Sequence, residues 1–470
     1  MMSAMAATKT STIAPARRCA YTVLRRVFER GAYADQALQA EASELDARDR
    51  ALAMRLAYGS VQRRGTLDHV IELLAGRPPE RLDAPVLAAL RLGLYELLYL
   101  GGSPDYAVVA DAVELAKVRG SSGHGLVNAV LRRAAREGSA LLDALTDDTP
   151  EHAAVKHSHP EWIARLWWDQ LGSEEARALM AYDNEPSEVA VRANTLVTDA
   201  PSLSAELLAG GSVGSHRDPG IPEALVLDGP LDVHGSPLWK AGAFVAQSRG
   251  AMLVARALDP RPGERVLDLC AAPGGKSTHL AALMDGAGEV LAVERNPRRA
   301  GMLARTAERL HASNVRVEVA DAALPRPEGA IFDRVLVDPP CSGLGTLQAR
   351  ADLRWRVTAE QLPQMSAAQA RILAAGAGAL RPGGVLVYST CTISTAENER
   401  LIADFLDSHA DFGLDDLAVE SPGVRLGSGS SEQEPDRSPR GAAAGCSAFL
   451  MTLPHRDHTA GFFIARLRRS

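Results

Sequence analysis

The sequence predicts an α/β protein, a doubly wound parallel sheet preceded by an all-α bundle and a small α+β module, on three observations. From Val245 onward, short β-branched runs alternate with helical stretches, the spacing of parallel βαβ units. From Ala14 to about Gly138, apolar residues recur at three- and four-residue steps throughout. Between these regions, Val189-Ala-Val-Arg-Ala-Asn194 reads as a strand, followed by a helical stretch and a turn-rich passage to about Gly242. At the usual roughly 150 residues per domain, 470 residues suit about three domains. The expected division is a disordered tail over 1–13, a helical domain over 14–145, the α+β module over 150–243 and the sheet domain over 244–470.

In order along the chain, Cys19 to Phe28, Ala51 to Tyr58, Val86 to Leu100 and Val108 to Leu115 carry the helical period. The arginine pairs Arg25-Arg26, Arg63-Arg64 and Arg132-Arg133 fit either solvated helix faces or a stripe facing nucleic acid. After the loop at Asp147-Asp-Thr-Pro150, Pro160 suits a helix start, and Trp162, Trp167 and Trp168 are expected in a core. The predicted strands of the large sheet are Arg265–Leu269, Gly288–Glu294, Val315–Val319, Phe332–Asp338 and Gly384–Tyr388, with Gly461–Leu467 returning to close it. A Ser/Gly/Pro/Glu/Arg-rich insertion over 427–445 lacks the apolar residues to order itself.

Composition excludes several classes. With 46% hydrophobic and 23% charged residues the chain is near the soluble globular average. Its most apolar stretch, Val86 to Leu100, is interrupted by Arg91 and Glu96 and is shorter than the roughly 20 residues a bilayer span requires. Five cysteines with no C-x-x-C pair fit a reducing cytoplasm better than a disulfide framework or a zinc site. His152, His157 and His159 have no cysteine nearby in sequence, so no metal is expected. A formal charge of −7 leaves nucleic-acid binding to local basic patches.

The chemistry concentrates in three segments of the sheet domain. Asp268-Leu-Cys-Ala-Ala-Pro-Gly-Gly-Lys276 follows a strand, and Gly274-Gly275 allow close approach to a ligand at a helix start. Glu294 ends the next strand, where an acid accepts hydrogen bonds from a ribose, and Asp321 follows the third. Cys270 at the first glycine position argues against a P-loop, and the absence of Gly-x-Gly-x-x-Gly argues against a dinucleotide fold.

Cys341, in Asp338-Pro-Pro-Cys341, and Cys391, in Tyr388-Ser-Thr-Cys391, both follow strand carboxyl ends. Asp-Pro-Pro resembles the turn with which many methyltransferases hold a planar base, but a thiol after the prolines shifts the chemistry from an exocyclic nitrogen to carbon. Carbon 5 of a pyrimidine becomes nucleophilic when a thiolate adds to carbon 6. A base must then take the carbon 5 proton so that the thiol can leave. Cys19, Cys270 and Cys446 are expected as small buried hydrophobes, Cys270 also lending backbone to the cofactor loop.

On Asp268-Leu-Cys-Ala-Ala-Pro-Gly-Gly-Lys-Ser277, Asp338-Pro-Pro-Cys-Ser-Gly343 and Tyr388-Ser-Thr-Cys-Thr392 with Glu397-Asn-Glu399, the chain resembles the RsmB/Sun type of ribosomal RNA (cytosine-5)-methyltransferase, in the NOL/NOP/Sun family. Val86 to Leu100 and Gly125 to Arg133 resemble a NusB-type RNA-binding domain. The resemblance implies a Rossmann-like methyltransferase sheet, S-adenosyl-L-methionine as cofactor, and small-subunit ribosomal RNA as partner of a cytoplasmic protein, expected to be a monomer. It implies Cys391 as nucleophile, Cys341 as helper in proton removal and release, and Asp338 against the cytosine and near the methyl donor. It places Cys270, Ala271, Ala272, Pro273, Gly274, Gly275 and Lys276 around the methionine end of the cofactor, Glu294 on its ribose and Asp321 on its adenine side. Many relatives carry two basic residues soon after Pro-Pro-Cys. Here the stretch is Leu347-Gln-Ala-Arg-Ala-Asp352, and Arg350, Arg354 and Arg356 around Trp355 are expected to compensate as a nucleic-acid face. Other readings are a transfer RNA substrate, or an idle fold serving as an RNA-binding assembly factor.

Overall fold

The computed structural model describes residues 13–117, 123–211, 213–327, 329, 331–415, 417 and 449–470. The expected tail over 1–13, Ile13 apart, and the expected insertion over 427–445, with Cys446, lie outside them. The chain divides into two compact units, Met1–Asn184 with Arg350–Arg356, and Glu185–Ala349 with Val357–Ser470. Among the described residues no helix is long and apolar enough to cross a membrane.

The first unit is helical. Pro15–Arg30, Ala34–Glu41, Ala47–Gln62, Arg64–Ala75, Ala84–Tyr95, Asp105–Lys117 and His124–Asp143 form its main body, and Pro150–Lys156, Glu161–Leu171 and Ser173–Tyr182 follow. The apolar faces of the first seven helices supply one core, in which Leu24, Leu56, Leu67, Ile71 and Leu90 are fully buried. Asp46 and Thr149 cap their helices by accepting from the backbone N–H three residues on. The arginine pairs are largely spent within the unit. Arg25 pairs with Glu29, Arg26 with Glu41 and Arg133 with Glu137, while Arg64 stacks on Phe28 and Trp355. Of the three tryptophans, Trp167 is fully buried. His152 bonds to Asp148, His157 to Asp147 and buried His159 to Asp183, and among the described residues no group could hold a metal.

One sequence expectation is overturned here. Arg354 is not a nucleic-acid contact: it has 0% exposure and donates to the carbonyls of Ser158 (2.9 Å), Asp183 (3.1 Å) and Gln62 (3.3 Å) and to Asn184 Oδ1 (3.2 Å). Burial lowers its pKa to about 10, still leaving it charged at neutral pH. Trp355 donates Nε1–H to Val61 O at 2.7 Å and joins the helical core with Ala351. Arg356 donates to Gly31 O and Ala32 O and lies 3.9 Å from the Tyr33 ring centroid. Only Arg350 of the expected trio is exposed. The fork of a guanidinium satisfies a ring of helix-end carbonyls as well as it satisfies phosphates.

The second unit holds two sheets. The smaller comprises β1 (Ala190–Ala193), β2 (Ser215–Arg217), β3 (Ala224–Leu227) and β4 (Phe244–Ala246), in the order β2-β3-β1-β4, with all pairs antiparallel. The larger comprises β5 (Arg265–Leu269), β6 (Glu289–Val293), β7 (Val315–Glu318), β8 (Phe332–Val337), β9 (Leu380–Thr390), β10 (Phe412–Leu414), β11 (Leu450–Thr452) and β12 (Phe462–Arg469). Its order is β10-β12-β9-β8-β5-β6-β7, with β11 also on β12. The strands from β7 to β9 are parallel, and β12 runs antiparallel to β9. Helices cover the parallel strands, so Val266, Leu267, Val335, Leu336, Leu386 and Val387 are buried, giving the unbroken apolar runs seen in the sequence. The strand order reverses between β5 and β8, and the carboxyl ends at that switch point are the ligand-binding crevice of such sheets.

Candidate active site

Asp268 and Asp338 stand at the carboxyl side of the switch point, the first inside β5 and the second just after β8. Between β5 and the helix Gly275–Leu283, the loop turns sharply: Cys270 adopts a left-handed φ of 66° and Gly274 a φ of 105°. A Cβ on Gly274 would lie 2.5 Å from Leu303 Cδ1 and push that side chain aside, and the φ itself favours glycine. Ala271 N–H donates to Val293 O, and Arg299 donates to Ala272 O at 2.7 Å while facing Glu294 Oε2 at 3.5 Å. Glu294 is buried and accepts Asn296 N–H at 2.8 Å. Asp321 accepts Ala323 N–H at 3.0 Å.

Two acids share this crevice with different partners. Asp268 is 1% exposed and accepts Ser277 Oγ–H on Oδ2 at 2.6 Å, while Oδ1 has no partner among the described residues. Burial, with the charge of Asp338 adding, pushes its pKa up to about 7. Asp338 accepts Lys276 Nζ at 2.7 Å on Oδ2 and the Ser389 hydroxyl at 2.9 Å on Oδ1. Burial opposes the charge on Lys276, but Asp338 outweighs it, and the ammonium is held above its ordinary range.

The thiols Cys341 and Cys391, 50 residues apart in sequence, meet at an Sγ–Sγ distance of 3.4 Å and both remain partly accessible. Cys341 holds its proton well above the ordinary thiol range, first because of its hydrogen bond with Cys391 and then because of burial. Cys270, kept at about 12 by burial and then by Asp338, Asp268 and Glu294, is a protonated thiol without a nucleophile's character. The arrangement can therefore add one sulfur to an electron-poor ring while a second thiol stands beside it.

The sequence did not reveal several participants. The pairing of the Lys276 ammonium with Asp338, 62 residues on, leaves no local pattern. Ser389 has the second oxygen of the same carboxylate, and Arg299 joins the loop to Glu294. Arg192, on β1, is buried and reaches Thr278 Oγ1 at 3.2 Å and Gln247 Oε1 at 2.9 Å, tying the small sheet to the first turn of the helix after the glycine loop. The signals available were the hydroxyl two residues before Cys391 and the lone arginine in an apolar strand.

Comparison with known proteins follows the same three parts. Residues 255–468 match the family model for 16S rRNA methyltransferase RsmB/F, 14–136 that of the NusB family, and 159–234 that of the ferredoxin-like domain of RsmF/B-like methyltransferases. A Synechocystis protein named "Probable ribosomal RNA small subunit methyltransferase B" is 35% identical over 97% of this chain and 99% of its own. The Vibrio vulnificus "Ribosomal RNA small subunit methyltransferase B" is 30% identical over 89% and 97% respectively. The crystal structure of PH0851 superposes with a TM-score of 0.79 at 27% identity, covering 98% of this chain and 100% of that one. With relatives of this similarity along nearly its whole length, and a methyltransferase sheet whose switch point carries two acids and two opposed thiols, the chain belongs to the RsmB/F family of 16S ribosomal RNA methyltransferases.

Proposed function

We propose that the protein, acting as a monomer in the cytoplasm, transfers a methyl group from S-adenosylmethionine to carbon 5 of one cytosine in small-subunit ribosomal RNA, through a covalent adduct on Cys391. The observation that carries this reading is the 3.4 Å approach of Cys341 and Cys391 beside Asp338. A methyl transfer to nitrogen or oxygen has no use for two thiols. The loop fits the cofactor. Among the described residues Oδ1 of buried Asp268 has no partner, a polar atom that a cofactor group can satisfy. Cys270 to Lys276 would hold the methionine end, Glu294 the ribose hydroxyls and Asp321 the adenine side. When bound, S-adenosylmethionine supplies the electrophilic methyl group.

The chain's own residues then have distinct tasks. Asp338, fixed by Lys276 and Ser389, holds the cytosine edge. The Cys391 sulfur adds to carbon 6, making carbon 5 a nucleophile. Once Cys391 is a thioether, the hydrogen bond that most strongly holds the proton on Cys341 is weakened, so the partly accessible Cys341 can give that proton to water and, as thiolate, take the proton from carbon 5. That electron pair reforms the 5,6 double bond and expels Cys391. Bisulfite sequencing of total RNA from cells with and without the gene tests the reading. Loss of one methylcytosine from 16S rRNA is expected; loss confined to transfer RNA, or no loss, overturns it.

A further inference from the structure

Glu397 has no part in the reaction above, yet it is fully buried at the end of the loop that begins with Cys391. Its Oε1 accepts Ser342 N–H and Gln369 Nε2–H, each at 2.9 Å, and its Oε2 accepts the Ser342 hydroxyl. Ser342 Oγ lies 2.5 Å from Thr392 Oγ1, which also faces Leu344 N at 3.4 Å. A hydroxyl has one proton. Because Ser342 gives its proton to the carboxylate, Thr392 donates to Ser342 and accepts from Leu344, so every bond in the row points toward Glu397. Ser342 and Thr392 are the residues immediately after Cys341 and Cys391. From outside, Tyr388 OH donates to Glu397 O at 2.7 Å and Asn398 Nδ2 to Thr392 O at 2.9 Å, leaving the row little freedom. A buried carboxylate is expensive to desolvate, and apolar packing would hold the fold as well. What an acceptor of three donors adds is a fixed register between two loops.

We propose that Glu397 is a positioning residue that, through Ser342 and Thr392, sets the separation of the two thiols for reaction. This rests on the assignment of Cys341 and Cys391 to the chemistry, and the test separates the two claims. In the full chain, Ser342→Ala, Thr392→Val, Thr392→Ser and Glu397→Ala are compared with the native protein. The first readout needs no activity: the rate at which diamide closes a Cys341–Cys391 disulfide, each thiol losing one hydrogen to the reagent's N=N bond, followed by peptide mass spectrometry. The second is kcat, with RNA KM and cofactor Kd measured alongside. Ser342→Ala and Thr392→Val are expected to slow closure about tenfold and lower kcat about 10- to 100-fold, the scale of a misplacement near 1 Å, with KM and Kd within about twofold. Thr392→Ser, which keeps the hydroxyl, restores what Thr392→Val loses. Glu397→Ala should match Ser342→Ala if it folds, and the hydroxyl variants decide the matter if it does not. Unchanged closure in both hydroxyl variants overturns the proposal. Slowed closure at unchanged kcat instead overturns the role of the thiols, which Cys391→Ser then shows by staying active.

Discussion

The 3.4 Å between two sulfurs makes separate predictions for each. Cys391→Ser should abolish methyl transfer while leaving cofactor binding intact, because an alcohol is a far weaker nucleophile than a thiolate at neutral pH. Cys341→Ala should let addition and methylation proceed and stall release, so a denaturing gel with labelled RNA shows a shifted band that disappears in the double variant. Asp268 predicts a pH effect. Its folded pKa near 7 lies above the unfolded value near 4, so the native state binds the extra proton, and stability falls as pH rises from about 4 to about 7. Asp268→Asn, measured by denaturant midpoint without cofactor, should gain stability over the native chain at pH 8, by at most about 4 kcal/mol, and gain nothing at pH 4. That Asp268, Asp338, Cys341 and Cys391 cluster was legible in the sequence because each lies at the carboxyl side of an apolar strand, whereas their separate roles came only from the resemblance. Arg354 was not, because an Arg-Trp-Arg triplet looks the same on a nucleic-acid face and in a socket of carbonyls. The row from Thr392 to Glu397 was equally hidden, since pairing across 50 residues leaves no local period.

Among elements, the strands of the large sheet were the most readable and the small sheet the least. β5 begins and ends where the sequence places it, whereas β2 and β4, three residues each, exist only through antiparallel partners on β3 and β1. Strands this short carry no period long enough to detect. In the proposed reading, cofactor binding depends on the loop after β5. Gly274→Ala adds a side chain at a φ of 105° and drives it against Leu303. We expect cofactor affinity to fall by about tenfold or more in calorimetry, with β5 itself intact. Glu294→Ala should cost about 1.5–3 kcal/mol of cofactor binding if the ribose donates to it, and unchanged affinity would place that contact elsewhere.

On the scale of the whole molecule, the first unit is built from two separate stretches of chain, and this changes what a truncation should do. Composition alone favours cutting after the helices and expecting the rest to fold by itself. A fragment starting at Glu185 would instead retain Ala351, Arg354 and Trp355 without the helices that bury them. We expect it to melt lower and aggregate sooner than the same fragment with 350–356 replaced by a Gly/Ser linker, and light scattering during heating compares the two. Gly65 marks the same dependence from the other side, because a Cβ there would sit 3.0 Å from the Trp355 ring. The consequence extends to synthesis. When Asn184 leaves the ribosome the helices are complete, but the unit is not, since Arg350–Arg356 are still about 170 residues, or roughly 10–30 s of elongation, away. Throughout that interval the nascent helices must wait with the seats of Arg354 and Trp355 empty, and the arrival of one short segment later in translation seals a domain whose helices were made long before.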